Sequence, residues 1–181
     1  MKVERSVMGR RELQWAVTRL AHQILEKNRG TKDLAIVGVR TRGAHLAVRI
    51  VDEIEKIEGT RVPLGILDIT LYRDDLQTVA KQPVVKGTEI LFDVEDKVIV
   101  LVDDVLYTGR TVRASLDALI DFGRPRRIWL SVLVDRGHRE LPVAADFVGE
   151  DLFTTSDEIV HVKLDEVEGE EDGIVVTRRE S

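Results

Sequence analysis

From residue 10 to residue 28, apolar side chains return every three to four positions. Leu13, Val17, Leu20 and Ile24 fall within a sector of roughly 60° at 100° per residue, which predicts an amphipathic helix. The pattern then changes. LAIVGV (34–39), LGILDITLY (64–72), VIVLVD (98–103) and IWLSVLVD (128–135) are mostly continuous apolar runs, as expected for strands covered on both faces. Between them the helical period reappears, at Ala47, Ile50, Val51, Ile54 and Ile57, and again at Val112, Leu116, Leu119 and Ile120. Strand–helix–strand alternation predicts an α/β fold: a mainly parallel twisted sheet flanked by helices. Two segments depart from the rhythm. Residues 73–90, RDDLQTVAKQPVVKGTEI, are polar and carry Pro83 and Gly87, predicting a long loop or an extended hairpin of the kind that is usually functional. The last stretch, IVHVKLDEVEGEEDGIVVTRRES, predicts two short strands around an acidic turn. No internal repeat or linker interrupts the chain, so a single domain spanning 1–181 is expected.

Composition narrows the class. The 181 residues are 43% hydrophobic and 33% charged, the balance of a soluble globular chain large enough to bury a full core. Cysteine is absent, which excludes disulfides and thiolate metal sites. The N-terminal residues lack the apolar segment of a signal peptide, and no run approaches a membrane span, so a cytoplasmic protein with no membrane partner is expected. The net charge of −6 is unevenly spread: residues 1–29 carry seven Lys/Arg against three Asp/Glu, whereas residues 140–181 carry three against thirteen. An acidic total therefore leaves room for a basic face. Arg11, Thr18, His22 and Arg29 share a sector of roughly 40° on the first helix, with Trp15 and Arg19 beside it. Such a side suits single-stranded RNA, or equally a solvated face with Trp15 in a subunit contact.

The densest chemistry is in VIVLVDDVLYTGRT (98–111), where an apolar strand runs into two adjacent carboxylates and then a Gly flanked by hydroxyls. In open α/β sheets, ligands sit beyond the carboxyl ends of strands. A helix beginning near Thr108–Thr111 offers free N–H donors to a phosphate, with Gly109 permitting close approach and Arg110 adding charge. Asp103 and Asp104 suit sugar hydroxyls, so one element would grip both ends of a ribose 5-phosphate. The bland alternative is a capped helix after two solvated acids. Neither GxxxxGK[ST] nor GxGxxG is present. At the same sheet edge, VGVRTRG places Arg40, Thr41, Arg42 and Gly43 at a helix start, a second candidate phosphate site.

The 98–111 stretch resembles the phosphoribosyl pyrophosphate (PRPP) motif of the type I phosphoribosyltransferases: apolar strand, two acids, a short spacer, then T-G-[KR]-T. With VGVRTRGAHLA (37–47), ILDITLYRDDL (66–76) and LVDRGHRELP (133–142), the resemblance covers nearly the whole chain. It is closest to the family of bifunctional pyrimidine operon regulatory proteins and uracil phosphoribosyltransferases. The resemblance implies a small hood over the sheet edge and a flexible lid in 73–90, with Arg73, Lys81 and Lys86 near the substrate. It implies conversion of uracil and PRPP to UMP and diphosphate, with magnesium held mainly by substrate and in part through Asp103 and Asp104. The implied catalytic residues are Asp103, Asp104 and Arg42. Nucleotide would be bound by Arg40 to Gly43, by Asp103, Asp104, Val105, Leu106, Tyr107, Thr108, Gly109, Arg110 and Thr111, and by Arg136 and Val160. The 40–43 loop often contains a cis non-proline peptide in these enzymes.

The family's regulators bind leader mRNA of the pyrimidine operon with the help of UMP or UTP and promote transcription termination. Thr18, Arg19, His22, Arg136, His138 and Arg139 match its RNA-binding side. A homo-oligomer, dimer or higher, is expected. Purine enzymes of the superfamily resemble a pattern with a third acid where this chain has Tyr107, and a phenol is a poor general base at neutral pH. That argues against a purely metabolic purine enzyme. One departure weakens RNA binding: EDLFTTSDE (150–158) stands where the family tends to be basic.

Overall fold

The computed structural model describes residues 4–70 and 87–179. The elements in chain order are β1 (Glu4–Met8), α1 (Arg10–Asn28), β2 (Leu34–Val39), α2 (Arg42–Glu58), β3 (Leu64–Leu67) and β4 (Val98–Leu106). They continue with α3 (Arg110–Ile120), β5 (Arg127–Asp135), β6 (Phe147–Asp151), β7 (Glu158–Lys163), α4 (Asp165–Glu168) and β8 (Gly173–Arg178). Five strands form a wholly parallel sheet in the order β3-β2-β4-β5-β6, and β1-β8-β7 form a separate antiparallel sheet of three.

The continuous apolar runs are explained by cover on both faces. Leu34, Ile36, Val98, Val100 and Val102 point into a core shared with α1 and α2, while Ala35, Val37, Ile99 and Leu101 point into one shared with α3. The helical stripe of α2 lies in the first of these cores through Ala47, Ile50, Val51 and Ile54, joined by Leu46, all at most 2% exposed. Ile57, expected to continue it, is 37% exposed at the helix end. Burying each of the larger side chains is worth about 1.5–3 kcal/mol. Where β2 meets α2 the backbones nearly touch. A Cβ on Gly38 would lie 2.5 Å from the Gly43 carbonyl oxygen and 2.6 Å from Ala44 Cα. Gly38→Ala is therefore expected to cost about 1–3 kcal/mol, lowering the midpoint of thermal unfolding by roughly 3–10 °C in a circular-dichroism melt.

Four differences from the sequence reading stand out. The run predicted as strand over 64–72 is strand only to Leu67, and its last two residues lie outside those described. The strand predicted over 98–103 continues to Leu106, because Asp103, Val105 and Leu106 keep pairing with β5. The acidic turn of the last stretch contains the short helix α4. Two strands carried no periodic signal: β1, exposed at Glu4 to Ser6, and β6, interrupted by Gly149 and ending in two acids. Of the segment 73–90, Glu89 returns to exchange both backbone hydrogen bonds with Ile66 (2.9 and 2.7 Å); Arg73, Lys81 and Lys86 lie outside the described residues.

Candidate active site

At the carboxyl end of β4 the side-chain alternation breaks. Val102 faces the α1/α2 core, yet Val105 also packs there and Leu106 faces the α3 core. Asp103 and Asp104 occupy the break. Asp103 accepts the N–H of Asp104 at 2.9 Å, and Asp104 accepts the N–H of Val105 at 2.8 Å. Asp103 is 7% exposed, and Asp104 is partly exposed. Burial, followed by the charge of Asp104, pushes the Asp103 carboxyl well above the ordinary aspartate range.

Beyond the strand, Gly109 adopts φ of +93°, a conformation that favours glycine, and a Cβ there would sit 2.4 Å from Val143 Cγ2. The Thr108 hydroxyl accepts the Arg110 N–H at 3.3 Å, and α3 begins at Arg110 as expected. The first amides of α3 have no acceptor inside the helix. The Thr108 carbonyl is held by the N–H groups of Glu140 (2.9 Å) and Leu141 (3.1 Å).

Gly43 brings the second candidate loop against this strand: a Cβ would lie 2.5 Å from the Val102 carbonyl oxygen and 3.3 Å from Asp103 Oδ1. The Arg40–Thr41 peptide bond is cis. Arg40, Thr41, Arg42, Asp103, Asp104, Val105 and Thr111 line one cleft of about 240 Å³, together with Asp68 and Thr70. A second cleft of about 420 Å³ lies against the antiparallel sheet and is lined by Arg42, Asp104, Val160, Val162 and Glu168 among others. Arg42 and Asp104 line both. Of the expected residues, Arg40 to Arg42, Asp103 to Val105, Thr111 and Val160 line these clefts. Gly43 packs against β4, Leu106 is buried in the α3 core rather than at the nucleotide as expected, and Tyr107 to Arg110 line neither cleft. The Arg40 guanidinium donates to the Gly87 carbonyl at 2.6 Å. Arg42 donates through Nε to the Val162 carbonyl at 2.8 Å and through Nη2 to the Glu168 carboxylate, a partner that sequence spacing did not reveal.

The hard oxygen donors of Asp68, Asp103 and Asp104 around the smaller cleft suit magnesium. Among the described residues no group of three or more His, Cys, Asp or Glu side chains is arranged to hold a metal. The residues fit an ion shared with substrate oxygens.

The expected RNA-contacting residues divide. His22 and His138 are exposed. Thr18, partly exposed, donates to Glu53 at 3.3 Å, and Arg19, though exposed, donates to the Gly149 carbonyl, so each is tied to a neighbouring element. Arg136, expected over the base and on the RNA side, is only 6% exposed. Its guanidinium lies 4.0 Å from the Tyr107 ring centroid and donates to Thr154 Oγ1 (3.2 Å) and the Thr155 carbonyl (3.1 Å). Arg139 is likewise turned inward, donating to Asp135 (2.5 Å), the Tyr107 carbonyl (2.9 Å) and the Val143 carbonyl (3.0 Å). These two arginines brace the Tyr107 turn. His138 reaches the Thr154 carbonyl at 2.7 Å, so residues 149–154 connect the Arg19 and His138 neighbourhoods along one edge. Trp15 is 58% exposed beneath the Arg11 guanidinium. The acids of 150–158 are partly offset: Asp157 lies 3.8 Å from Arg178, and Glu158 lies 3.8 Å from Arg5.

Comparison with known proteins bears on this arrangement. The phosphoribosyl transferase domain family matches residues 10–166. A protein of Thermus aquaticus named bifunctional protein PyrR is 58% identical over 171 residues, covering 94% of each chain. A protein of the same name from Roseiflexus sp. (strain RS-1) is 55% identical over 175 residues, covering 97% of this chain and 96% of its own. Among solved structures, the hypoxanthine phosphoribosyltransferase of Trypanosoma cruzi superimposes with a TM-score of 0.71 over 97% of each chain, at 18% identity, which speaks to fold alone. With the expected paired acids and basic loop meeting at one sheet edge and the relatives more than half identical, the chain belongs to the PyrR family of type I phosphoribosyltransferases.

Proposed function

We infer that the protein regulates transcriptional attenuation of the pyrimidine operon by binding leader RNA in response to uridine nucleotides, and that it also makes UMP and diphosphate from uracil and PRPP. Membership of the PyrR family supports both activities. The observation that carries the catalytic reading is the sharing of Arg42 and Asp104 by the two clefts. One cleft, with Arg40, Thr41 and Thr111, suits the phosphates and ribose. The other, with Val160 and Val162, suits a flat base between apolar side chains.

The chain's own residues then act as follows. Asp103 and Asp104 accept from the ribose hydroxyls and lie near the anomeric carbon, where cationic character grows as diphosphate departs. The amides at the start of α3 and the hydroxyls of Thr108 and Thr111 take the 5-phosphate. Arg40 and Arg42 lie where they can take the diphosphate. Magnesium, when bound with PRPP, neutralises diphosphate charge, and Asp103, Asp104 and Asp68 are the side chains nearest to hold it. Arg136 and Arg139 fix Tyr107 and its turn.

The RNA side is assigned to His22 and His138, with exposed Arg11 on the same flank of α1 as His22 and exposed Arg29 at the C-cap of that helix. His22→Ala with His138→Ala is expected to weaken binding of a pyrimidine-operon leader about tenfold in a gel shift with UMP present. That is the order of one or two lost polar contacts. UMP synthesis should stay at the wild-type rate. An unchanged gel shift would remove these residues from the RNA surface.

A further inference from the structure

We propose that Glu168 is a positioning residue that competes with the diphosphate of the substrate for Arg42, and thereby sets how tightly the ribosyl donor is held. The inference rests on the phosphoribosyltransferase reading above. Arg42 and Arg49 stand two turns apart on α2 and so share one face of the helix. Both reach the 164–172 segment that joins β7 to β8, but they do so differently. Arg49 is 17% exposed and clasps Glu166 at 2.9 Å and Asp172 at 2.7 Å. Its hydrogen bonds hold both carboxyls below their ordinary range. It lines neither cleft of the active site. That clasp fastens the segment to α2 away from both clefts.

Arg42, by contrast, is 38% exposed and stands where the two clefts meet. Glu168 takes it with one carboxylate oxygen, while the other accepts the Leu164 N–H at 2.7 Å at the start of α4. The carboxylate is therefore aimed by its own helix. Burial pushes the Glu168 carboxyl up, but the Leu164 N–H and Arg42 overcome it and hold it below the usual range. At neutral pH it is an anion paired with Arg42. A diphosphate entering the smaller cleft meets a guanidinium already neutralised and drawn toward the antiparallel sheet, and must displace a carboxylate to gain it. The partial exposure of the pair makes that exchange feasible and keeps its effect modest.

Glu168→Gln retains an oxygen for the Leu164 N–H and removes the charge. In the full-length protein with magnesium, calorimetric Kd values for PRPP and for inorganic diphosphate are expected to fall roughly two- to fivefold, the range of a half-exposed ion pair. KM for PRPP should fall with them and KM for uracil should not move. The gain should shrink at high salt, and it should vanish when Glu168→Gln is made in an Arg42→Gln background. Unchanged or weaker diphosphate binding in Glu168→Gln, with or without a lower melting temperature, would overturn the proposal and leave Glu168 a helix cap. A wild-type protein that binds neither ligand would instead overturn the phosphoribosyltransferase reading.

Discussion

Asp104→Asn is expected to lower kcat/KM for UMP formation by about 10²–10³, the order found when one preorganised group is removed from a transition-state site. Asp104 lines both clefts, so under the proposed placement of ribose and base its carboxylate stands between them. In the proposed reaction its charge would stabilise the oxocarbenium-like sugar, and asparagine keeps the shape while deleting that charge. The Val105 N–H would still find an oxygen in the place of Asp104 Oδ1. Folding should therefore be preserved while chemistry fails. Steady-state assay of UMP formation beside a thermal melt measures both, and a rate within twofold of wild type would refute the assignment.

Asp103→Asn carries the second large effect, and it runs in opposite directions for stability and activity. The Asp103 carboxyl is buried and stands beside Asp104, which together raise its pKa well above the ordinary aspartate value. The folded chain thus holds a proton that the unfolded chain releases near pH 4. That contribution to stability is complete below the unfolded pKa and is lost as pH rises toward the folded one. At neutral pH the wild type therefore carries the cost of two adjacent acids. Asparagine removes the cost, retains the acceptor for the Asp104 N–H, and should raise the unfolding midpoint by a few degrees, roughly 2–4 °C per kcal/mol in a chain of this size. In melts from pH 4 to 8 the midpoint of the wild type should fall relative to that of the variant as pH rises. Turnover should drop at least tenfold, because a ribose hydroxyl loses a charged acceptor. A variant no more stable than wild type would mean that the pair is accommodated without strain.

The paired acids also show how far the sequence could be read. β2 and α1 have the bounds that periodicity predicts, because each is governed by burial along its whole length. Asp103 was expected as the last residue of β4 and Asp104 just beyond it, because the apolar run stops there. They lie inside it, since backbone pairing with β5 persists to Leu106 while each carboxylate bonds the following amide. β6 was missed because its alternation is short and Gly149 interrupts it; that glycine is needed where a Cβ would strike the Leu133 carbonyl at 2.6 Å. Arginine was the least legible residue type. Arg136, expected at nucleotide and RNA, and Arg139, expected at RNA, both brace Tyr107, and Arg42 finds Glu168 across 126 positions of chain. One local signal was available: Asp135 and Arg139, four apart, form the ion pair that turns the second arginine inward.

The three-stranded sheet has β8 at its centre, between β1 and β7. β8 is also the last strand in chain order. Because β1 pairs with β8 alone in that sheet, it must wait through the synthesis of every strand of the parallel sheet before it gains a strand partner. The β4 turn with its paired acids is thus made before the strand that completes the wall carrying Val160 and Val162.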